Sequence, residues 1–277
     1  MSTALDLVDL DRYPLGDPGS AAYTACVDAA RAQLASMGAA ELPGFVHDAG
    51  VAALASDAEA LAMRSFHSGG VGTAYLELPD DHWAPEHPRQ TWRPYAVGAV
   101  GYDVIPRTSP LRVLYESVEL LSFLQDVLDR GTLYRYADPC GALNLAVMAE
   151  GDELQWHFDQ TDFVVSLAIQ AAEVGGDFDV VPKIRNAEDE RYDDVARVLA
   201  DDHDGVVTLA MTPGTLLVFE GRNSLHRVSP IKGARLRHVG LLAYDTKPGT
   251  TSSDLLREVR YGRVAAFAEP PGTWPPS

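Results

Sequence analysis

The sequence predicts an α+β protein in which a helical N-terminal part packs against a β-rich core. Two observations lead to this class. Apolar residues in the first half recur at the three- and four-residue spacing of amphipathic helices, whereas the second half contains short apolar runs that alternate with the period of strands. We expect a single domain, 1–277, with a helical part at about 20–130, a β-rich core at about 132–246 and a C-terminal extension at 247–277.

Three segments of the first half carry the helical pattern and close on turn-forming residues: "AAYTACVDAARAQLASMG", "GVAALASDAEALAMRSF" and "SPLRVLYESVELLSFLQDVLDRG". The second and third are separated by 80–106, which is rich in Pro, Trp, His and Arg. We expect an extended loop or short strands there. Connections of this length are commonly functional or disordered.

The second half contains about seven short strand-like runs, separated by turn signals: "ALNLAVMAEGD", "WHFDQTDFVVSLAIQA", "GGDFDVVP", "GVVTLAMTPG", "TLLVFEG", "SLHRVSPIKG" and "RHVGLLAYD". Strands of this number and length are typical of a sandwich or barrel. The acidic insertion 186–205 predicts a charged surface helix. The prolines of "EPPGTWPPS", 269–277, predict a loose or docked extension.

Charge and cysteine content narrow the function classes. The formal net charge of −18 disfavours nucleic acid and anionic membranes as partners, because both attract basic patches, and it leaves a small-molecule ligand or a protein as the expected partner. Cys26 and Cys140 lie far apart, so the sequence supports neither a disulfide framework nor a zinc ribbon. The acidic N-terminus lacks a signal-peptide pattern, and we expect a cytoplasmic protein of undetermined oligomeric state.

A possible metal site begins in "ELQWHFDQTDFVVSLAIQ", 153–170. His157 and Asp159 are two residues apart, so a strand would project both side chains from one face. Such a pair alone is weak evidence, because a strand histidine paired with a neighbouring carboxylate is common. The stretch 213–237 adds His226 on a further strand after two turns. Two imidazoles and one carboxylate form the facial triad of non-haem Fe(II) oxygenases, which leaves metal positions open.

The same motifs resemble a known family. "HFD", followed much later by "PGTLLVFEGRNSLHRVSPIKGARLRHVGLLAYD", resembles the Fe(II)/2-oxoglutarate-dependent dioxygenases over roughly 132–246. "YADPCGALNLAVMAEGDELQWHFDQTDFVVSLAIQ" resembles the small bacterial group that hydroxylates or halogenates free amino acids. The resemblance implies a double-stranded β-helix (jelly roll) core, with Fe(II), 2-oxoglutarate and O2 as cofactor and cosubstrates. It also implies that the iron ligands, and hence the catalytic residues, are His157, Asp159 and His226.

The resemblance further implies a basic residue that binds 2-oxoglutarate at the start of the last core strand. Arg235 and Arg237 both qualify, since the planar guanidinium can hold a carboxylate through paired hydrogen bonds. The two would share a strand face, so parity does not separate them. Family spacing favours Arg237. Asn144, on the preceding strand, is a further candidate for the cofactor pocket.

Candidates for substrate binding lie in two places. Gln160 and Asp162 follow the first ligand pair and are candidates to line the pocket. Arg89 and Arg93, in the aromatic-rich segment, are candidates to pair with an α-carboxylate. For each arginine, a solvated surface position is an equally good interpretation.

The predicted outcome is oxidation of an aliphatic C–H bond. Family halogenases carry Gly or Ala at the position of Asp159, and chloride fills the vacated site, so Asp159 predicts hydroxylation, desaturation or ring closure with succinate and CO2 as co-products. Leu241 and Ala243 are apolar inward positions on the last strand. They predict an amino acid with a neutral tail, because a buried ammonium group would need a charged partner.

Two other classes remain open from the sequence. A cupin-like metal enzyme that does not use 2-oxoglutarate would keep the same three ligands but would not need Arg235 or Arg237. A non-catalytic β-sandwich binding protein would need no metal at all. His67 and His238 are predicted not to be ligands, and Trp156 is predicted to pack on the outer face of its strand.

Overall fold

The computed structural model describes residues 3–78 and 80–267. Within these ranges the strands are β1 (Ala39–Leu42), β2 (Phe66–Gly72), β3 (Arg93–Gly101), β4 (Tyr134–Arg135), β5 (Leu143–Met148), β6 (Glu153–His157), β7 (Val164–Gln170), β8 (Phe178–Val181), β9 (Val207–Leu209), β10 (Leu216–Phe219), β11 (Leu225–Val228), β12 (Arg237–Leu242) and β13 (Tyr244–Asp245).

Eight of these strands form two antiparallel layers. The first layer has the order β5–β12–β7–β10 and the second the order β6–β11–β8–β9. β3 pairs with both β5 and β6 and thereby joins the layers along one side. β1 extends the first layer beside β10, and β2 pairs with β3. This arrangement confirms the double-stranded β-helix core and the α+β class.

The register of the first layer defines its inward face. Leu241 of β12 lies opposite Asn144 of β5 and Ser166 of β7, and cross-strand partners project from the same face. A short turn, 149–152, joins β5 to β6 across the two layers. The start of β5 and the end of β6 therefore lie at the same end of the core, which we call the mouth.

The helices of the described residues are α1 (Ala21–Met37), α2 (Asp48–Ala62), α3 (Pro110–Glu116), α4 (Val118–Leu128), α5 (Tyr192–Leu199) and α6 (Asp254–Tyr261), with a short 3₁₀ helix at Pro88–Gln90. The third predicted helix is divided in two at Ser117. This residue has an extended backbone, and its hydroxyl accepts a hydrogen bond from the N–H of Leu120, so it ends α3 and caps α4.

The helices of the first half cover the outer face of the first layer. Leu54 of α2 and Phe123 of α4 share a buried cluster with Leu145 and Leu167 of the sheet. Burial of such apolar side chains contributes roughly 25 cal/mol per Å². Replacing Phe123, which is fully buried, by alanine would cost about 3–5 kcal/mol.

The outer face of the second layer has a different cover. Trp156 and Phe158 pack there with Val195 and Leu199 of α5, so Trp156 faces outward as predicted. The predicted helix of 186–205 is shorter in the structure. The side chain of Asn186 accepts hydrogen bonds from the backbone N–H groups that follow it, and this local turn delays the start of α5.

Two elements differ from the sequence expectation. The segment 80–106 contains the long strand β3, and its partner β2, "FHSGGVG", was not predicted because three glycines remove the alternating pattern. The predicted extension 247–277 contains α6, which begins where Ser253 caps the N–H of Leu256. Residues 269–277 lie outside the described residues, and the single-domain organisation stays a prediction. No helix within 3–78 and 80–267 is both long and apolar enough to cross a membrane.

Candidate metal centre

The three predicted ligands meet at the mouth. His157 ends β6, Asp159 follows directly, and His226 of β11 lies opposite His157 in the strand register. One nitrogen or oxygen atom from each of the three side chains lies within 4.8 Å of the other two. We call these residues the triad.

Both histidine rings are oriented by backbone carbonyls. Nδ1 of His157 lies 2.7 Å from the carbonyl oxygen of Gln155, and Nδ1 of His226 lies 2.9 Å from that of Ser224. A carbonyl oxygen only accepts, so each Nδ1–H donates and each Nε2 lone pair is left available. The ring of Phe219 contacts His226 edge-on, with centroids 4.9 Å apart. This arrangement suits two imidazole ligands to one metal ion.

The carboxylate of Asp159 is held close to the imidazoles. Its backbone N–H donates to the carbonyl oxygen of Gly221, and a Cβ at Gly221 would collide with the carboxylate. The Oδ2 atom is buried 3.2 Å from Nε2 of His226 and has no other partner among the described residues. A buried carboxylate oxygen without hydrogen bonds is costly, and a metal ion would satisfy it. The three side chains therefore fit a divalent cation.

The protonation states also suit a cation. Burial and, after it, the charge of the neighbouring His226 lower the pKa of His157 to about 4. Burial alone would raise the pKa of Asp159, but the charge of His226 outweighs it and the net direction is downward. Burial lowers and Asp159 raises the pKa of His226, with a net increase. A proton on the imidazole of His226 would compete with a metal ion for the same nitrogen atom.

The structure separates the two candidate arginines for 2-oxoglutarate. Arg237 begins β12 with its side chain buried, and its Nε donates to the carbonyl oxygen of Gly176 at 3.0 Å. Burial lowers its pKa to about 10, and no carboxylate of the described residues pairs with it. Arg235 precedes the strand and is exposed, with its guanidinium on the carbonyl oxygens of Ala171 and Ala172.

Of the other residues predicted to line the interior, two lie on the inward face and one lies beyond the end of its strand. Asn144 and Leu241 face each other on the inward side of the first layer, and Oδ1 of Asn144 is buried without a hydrogen bond. Ala243 lies beyond the end of β12, where its N–H donates to the carbonyl oxygen of Ala142.

Gln160 and Asp162 are exposed in the loop after the triad pair. Arg222 links this loop to the one before β11, because it donates to the Asp162 carboxylate at 2.5 Å and to the Gln160 carbonyl oxygen.

Arg89 and Arg93 lie away from the interior. Arg89 sits 4.3 Å over the ring of Tyr75, on the outer face of the second layer, and donates to Glu77, Tyr192 and Glu190. Arg93 is exposed and donates to the carbonyl oxygen at the end of α5. Their roles in substrate binding stay predictions.

One charged residue near the triad was not identified from the sequence. Arg260 of α6 is partly buried. Its charge is the smallest of the causes that act on the pKa of His157 and of Asp159, and it lowers both; burial and the charges within the triad have larger effects. It was not identified because 247–277 was predicted to be an extension and not a helix beside the core.

Comparisons with known proteins agree with this fold and site. A family model described as Halogenase D matches residues 80–260. No curated protein matches the sequence.

Several solved structures share the fold. They include an oxidoreductase of the 2OG-Fe(II) oxygenase family from Burkholderia pseudomallei, with 17% identity over 81% of this chain and 92% of that chain and a TM-score of 0.50. AviO1 from Streptomyces viridochromogenes Tue57 has 19% identity, coverage of 80% and 96%, and a TM-score of 0.55. A prolyl hydroxylase from Trichoplax adhaerens, solved with a peptide fragment of hypoxia inducible factor, has 14% identity, coverage of 82% and 94%, and a TM-score of 0.51.

Proposed function

We propose, from the premise that the chain belongs to the Halogenase D family and is an Fe(II)/2-oxoglutarate-dependent dioxygenase, that it oxidises an unactivated aliphatic C–H bond of a free amino acid or close derivative. In hydroxylation, 2-oxoglutarate, O2 and R–H give succinate, CO2 and R–OH. In desaturation or ring closure, two hydrogens leave the substrate and water is formed. The observation that carries the proposal is the convergence of Asp159 with two histidines at the mouth.

His157, Asp159 and His226 would hold the iron, which activates O2 together with 2-oxoglutarate when both are bound. The protein residues position the reactants. Carbonyl acceptors fix both imidazole rings, and the close approach of Gly221 fixes the carboxylate of Asp159. Positioning of this kind accounts for much of what a protein adds to cofactor chemistry.

Arg237 would bind the distal carboxylate of 2-oxoglutarate. Its guanidinium is buried, and no carboxylate among residues 3–78 and 80–267 forms an ion pair with it, so a ligand carboxylate would supply a directly bonded counter-charge. The exposed Arg235, which bonds to backbone carbonyls, is the weaker candidate. Asn144 would contribute its side-chain amide from the inward face of β5.

Oxygenation is proposed over halogenation, although the family description names a halogenase. Chlorination is the second candidate on that description alone. Against it stands Asp159, which fills the position that chloride would need and whose negative charge disfavours a second anion nearby. The collision expected at Gly221 further supports the view that the site is shaped around this carboxylate.

Support for a free amino acid comes from the sequence resemblance, and support for a neutral tail comes from Leu241 on the inward face. The Trichoplax enzyme was solved with a peptide fragment, so a peptide-linked residue is the alternative form of substrate.

The test measures succinate and product mass under air with Fe(II), 2-oxoglutarate, excess chloride and each common amino acid in turn. We expect succinate above the substrate-free level with at least one neutral amino acid, and a product heavier by one oxygen or lighter by two hydrogens. A chlorinated main product from the unmodified protein would refute the proposal. Chlorination that appears only after Asp159→Gly would support it.

A further inference from the structure

Helix α6 packs on the inward face at the mouth. Tyr261, at its end, is buried against Ala99 of β3, and a Cβ built on Gly101 would lie 3.3 Å from the Tyr261 ring. Ala99 and Gly101 are the cross-strand partners of Ala146 and Asn144, which face the interior. The C-terminal end of α6 therefore lies beside the row of residues that lines the mouth.

Two ion pairs hold this helix in place. The carboxylate of Asp138 accepts a hydrogen bond from the N–H of Ser252, and its Oδ2 lies 3.3 Å from Nε of Arg257. Beyond the helix, Arg263 pairs with Asp103 at 2.5 Å. Asp138 and Asp103 are both nearly fully buried, so the helix is fixed on the body of the protein.

Arg260 lies between these two anchored arginines and differs from both. Across residues 3–78 and 80–267, no hydrogen bond or ion pair involves its guanidinium, although the residue is partly buried. Its charge also acts on His157 and Asp159. Arg260 directly precedes Tyr261, whose ring packs beside the mouth, so Arg260 lies at the mouth end of α6.

We propose that Arg260 binds the carboxylate of the substrate and thereby positions the substrate at the mouth. The inference rests on the proposed function, and it names the group that recognises a free amino acid. Arg237 lies opposite Met148 at the far end of β5 and is assigned to 2-oxoglutarate. An unpaired guanidinium on the mouth side is therefore left for a second carboxylate, from the substrate.

Chemical recognition follows from this placement. A guanidinium binds a carboxylate through paired, charge-assisted hydrogen bonds, whereas an amide or an ester offers no negative charge. The site therefore selects substrates with a free carboxylate over α-carboxamides and over residues linked through their carboxyl group.

The test compares binding without turnover. The protein is held anaerobically with Fe(II) and 2-oxoglutarate, and the increase in Tm is titrated with each common amino acid and with its α-carboxamide. For the best ligand, we expect Arg260→Gln to weaken binding about 30-fold or more. Arg260→Lys should recover part of the affinity. The Kd of 2-oxoglutarate, measured before the amino acid is added, should not change.

Arg263→Gln is the matched control, because it removes a cation and an anchor from the same segment but leaves Arg260. It should keep the preference for the carboxylate over the carboxamide. Equal binding of both ligand forms, or unchanged affinity in Arg260→Gln, would overturn the role of Arg260 while leaving the amino acid substrate intact. If 2-oxoglutarate binds but no amino acid does, both the substrate class and this inference are wrong. Loss of 2-oxoglutarate binding in Arg260→Gln would assign Arg260 to the cosubstrate instead.

Discussion

The barrel interior and the outer face of the second layer both enclose an arginine, and the two are satisfied differently. Arg237 is 6% exposed, and its hydrogen-bond partners among the described residues are the carbonyl oxygen of Gly176 and the Met148 sulfur. The side chain of Arg89 is 14% exposed, and it has Glu77 and Glu190 as partners.

A buried charge is stable only when it is paired. At Arg89 the protein supplies both the counter-charges and an aromatic cage. At Arg237 burial lowers the pKa to about 10, because the charge of Asp177 offsets it only in part and no carboxylate of the described residues forms an ion pair with the guanidinium. The contrast supports the proposal that Arg237 binds an anionic ligand, and it favours a structural role for Arg89.

The largest expected effect tests whether the interior is a metal site at all. His157→Ala and His226→Ala should each abolish stoichiometric Fe(II) binding and turnover, since two protein ligands do not replace three. Anaerobic Fe(II) titration measures the first effect. His203→Ala, an exposed histidine, is the matched control and should bind iron normally. Full iron affinity in both triad variants would rule out this site.

The next effect concerns the unpaired arginine. Arg237→Ala should weaken 2-oxoglutarate binding by about 2–5 kcal/mol, or roughly 30-fold or more, because the ligand carboxylate loses its buried partner. In the absence of 2-oxoglutarate, the Tm of Arg237→Ala should not be lowered by the loss of an ion pair, because Arg237 forms none with the described residues. If Arg235→Ala has the stronger effect, the choice between the two arginines was wrong. If neither matters, 2-oxoglutarate does not bind in this way.

The Asp138–Arg257 ion pair at the mouth should contribute to stability and not to ligand binding. Asp138→Asn should cost about 3 kcal/mol of unfolding free energy, because the partly buried Arg257 loses its buried counter-charge and keeps only the exposed Asp254 as an ion-pair partner among the described residues. Burial raises the pKa of Asp138, but the backbone N–H groups of Gly141, Cys140 and Ser252 outweigh it, and the net direction is downward.

The lowered pKa sets the pH window of that cost. A carboxylate with a lowered folded pKa contributes stability that is fully present above its unfolded pKa, about 4, and is lost as the pH falls through the folded pKa. Chemical unfolding should therefore give a constant difference between Asp138→Asn and the unmodified protein above about pH 5, which closes in acid. A difference that does not depend on pH would assign the loss to packing.

The smallest effect is expected on the outer face. Arg89→Ala should lower the unfolding free energy by about 2 kcal/mol, through lost ion pairs and cation–π contacts, and the Tm by roughly 4–8 °C. The affinity for 2-oxoglutarate and for the amino acid should be unchanged. A loss of amino acid affinity without a loss of stability would restore Arg89 as a substrate ligand and break the contrast with Arg237.

Local sequence patterns, together with the family resemblance, predicted the triad but not its surroundings. Strand periodicity placed His157 and Asp159 on one face, and the next histidine on a strand completed the set. The ion pair of Arg89 with Glu190 joins positions 101 residues apart, so no local sequence pattern predicts it. For the same reason, α6 was missed, because its position depends on the distant Asp103 and Asp138.

The seam made by β3 gives the barrel an uneven stiffness. β3 is hydrogen-bonded to both layers on one side, whereas the described strand order ends at β1 and β9, which are edges. Local opening should therefore occur mainly at β1 and β9, because an edge strand is hydrogen-bonded on one side only. Backbone amides of these strands should exchange with solvent faster than those of β3 and β5. The triad lies on β11 and at the end of β6, the strand next to β3, so opening of the edge strands should leave the metal centre intact.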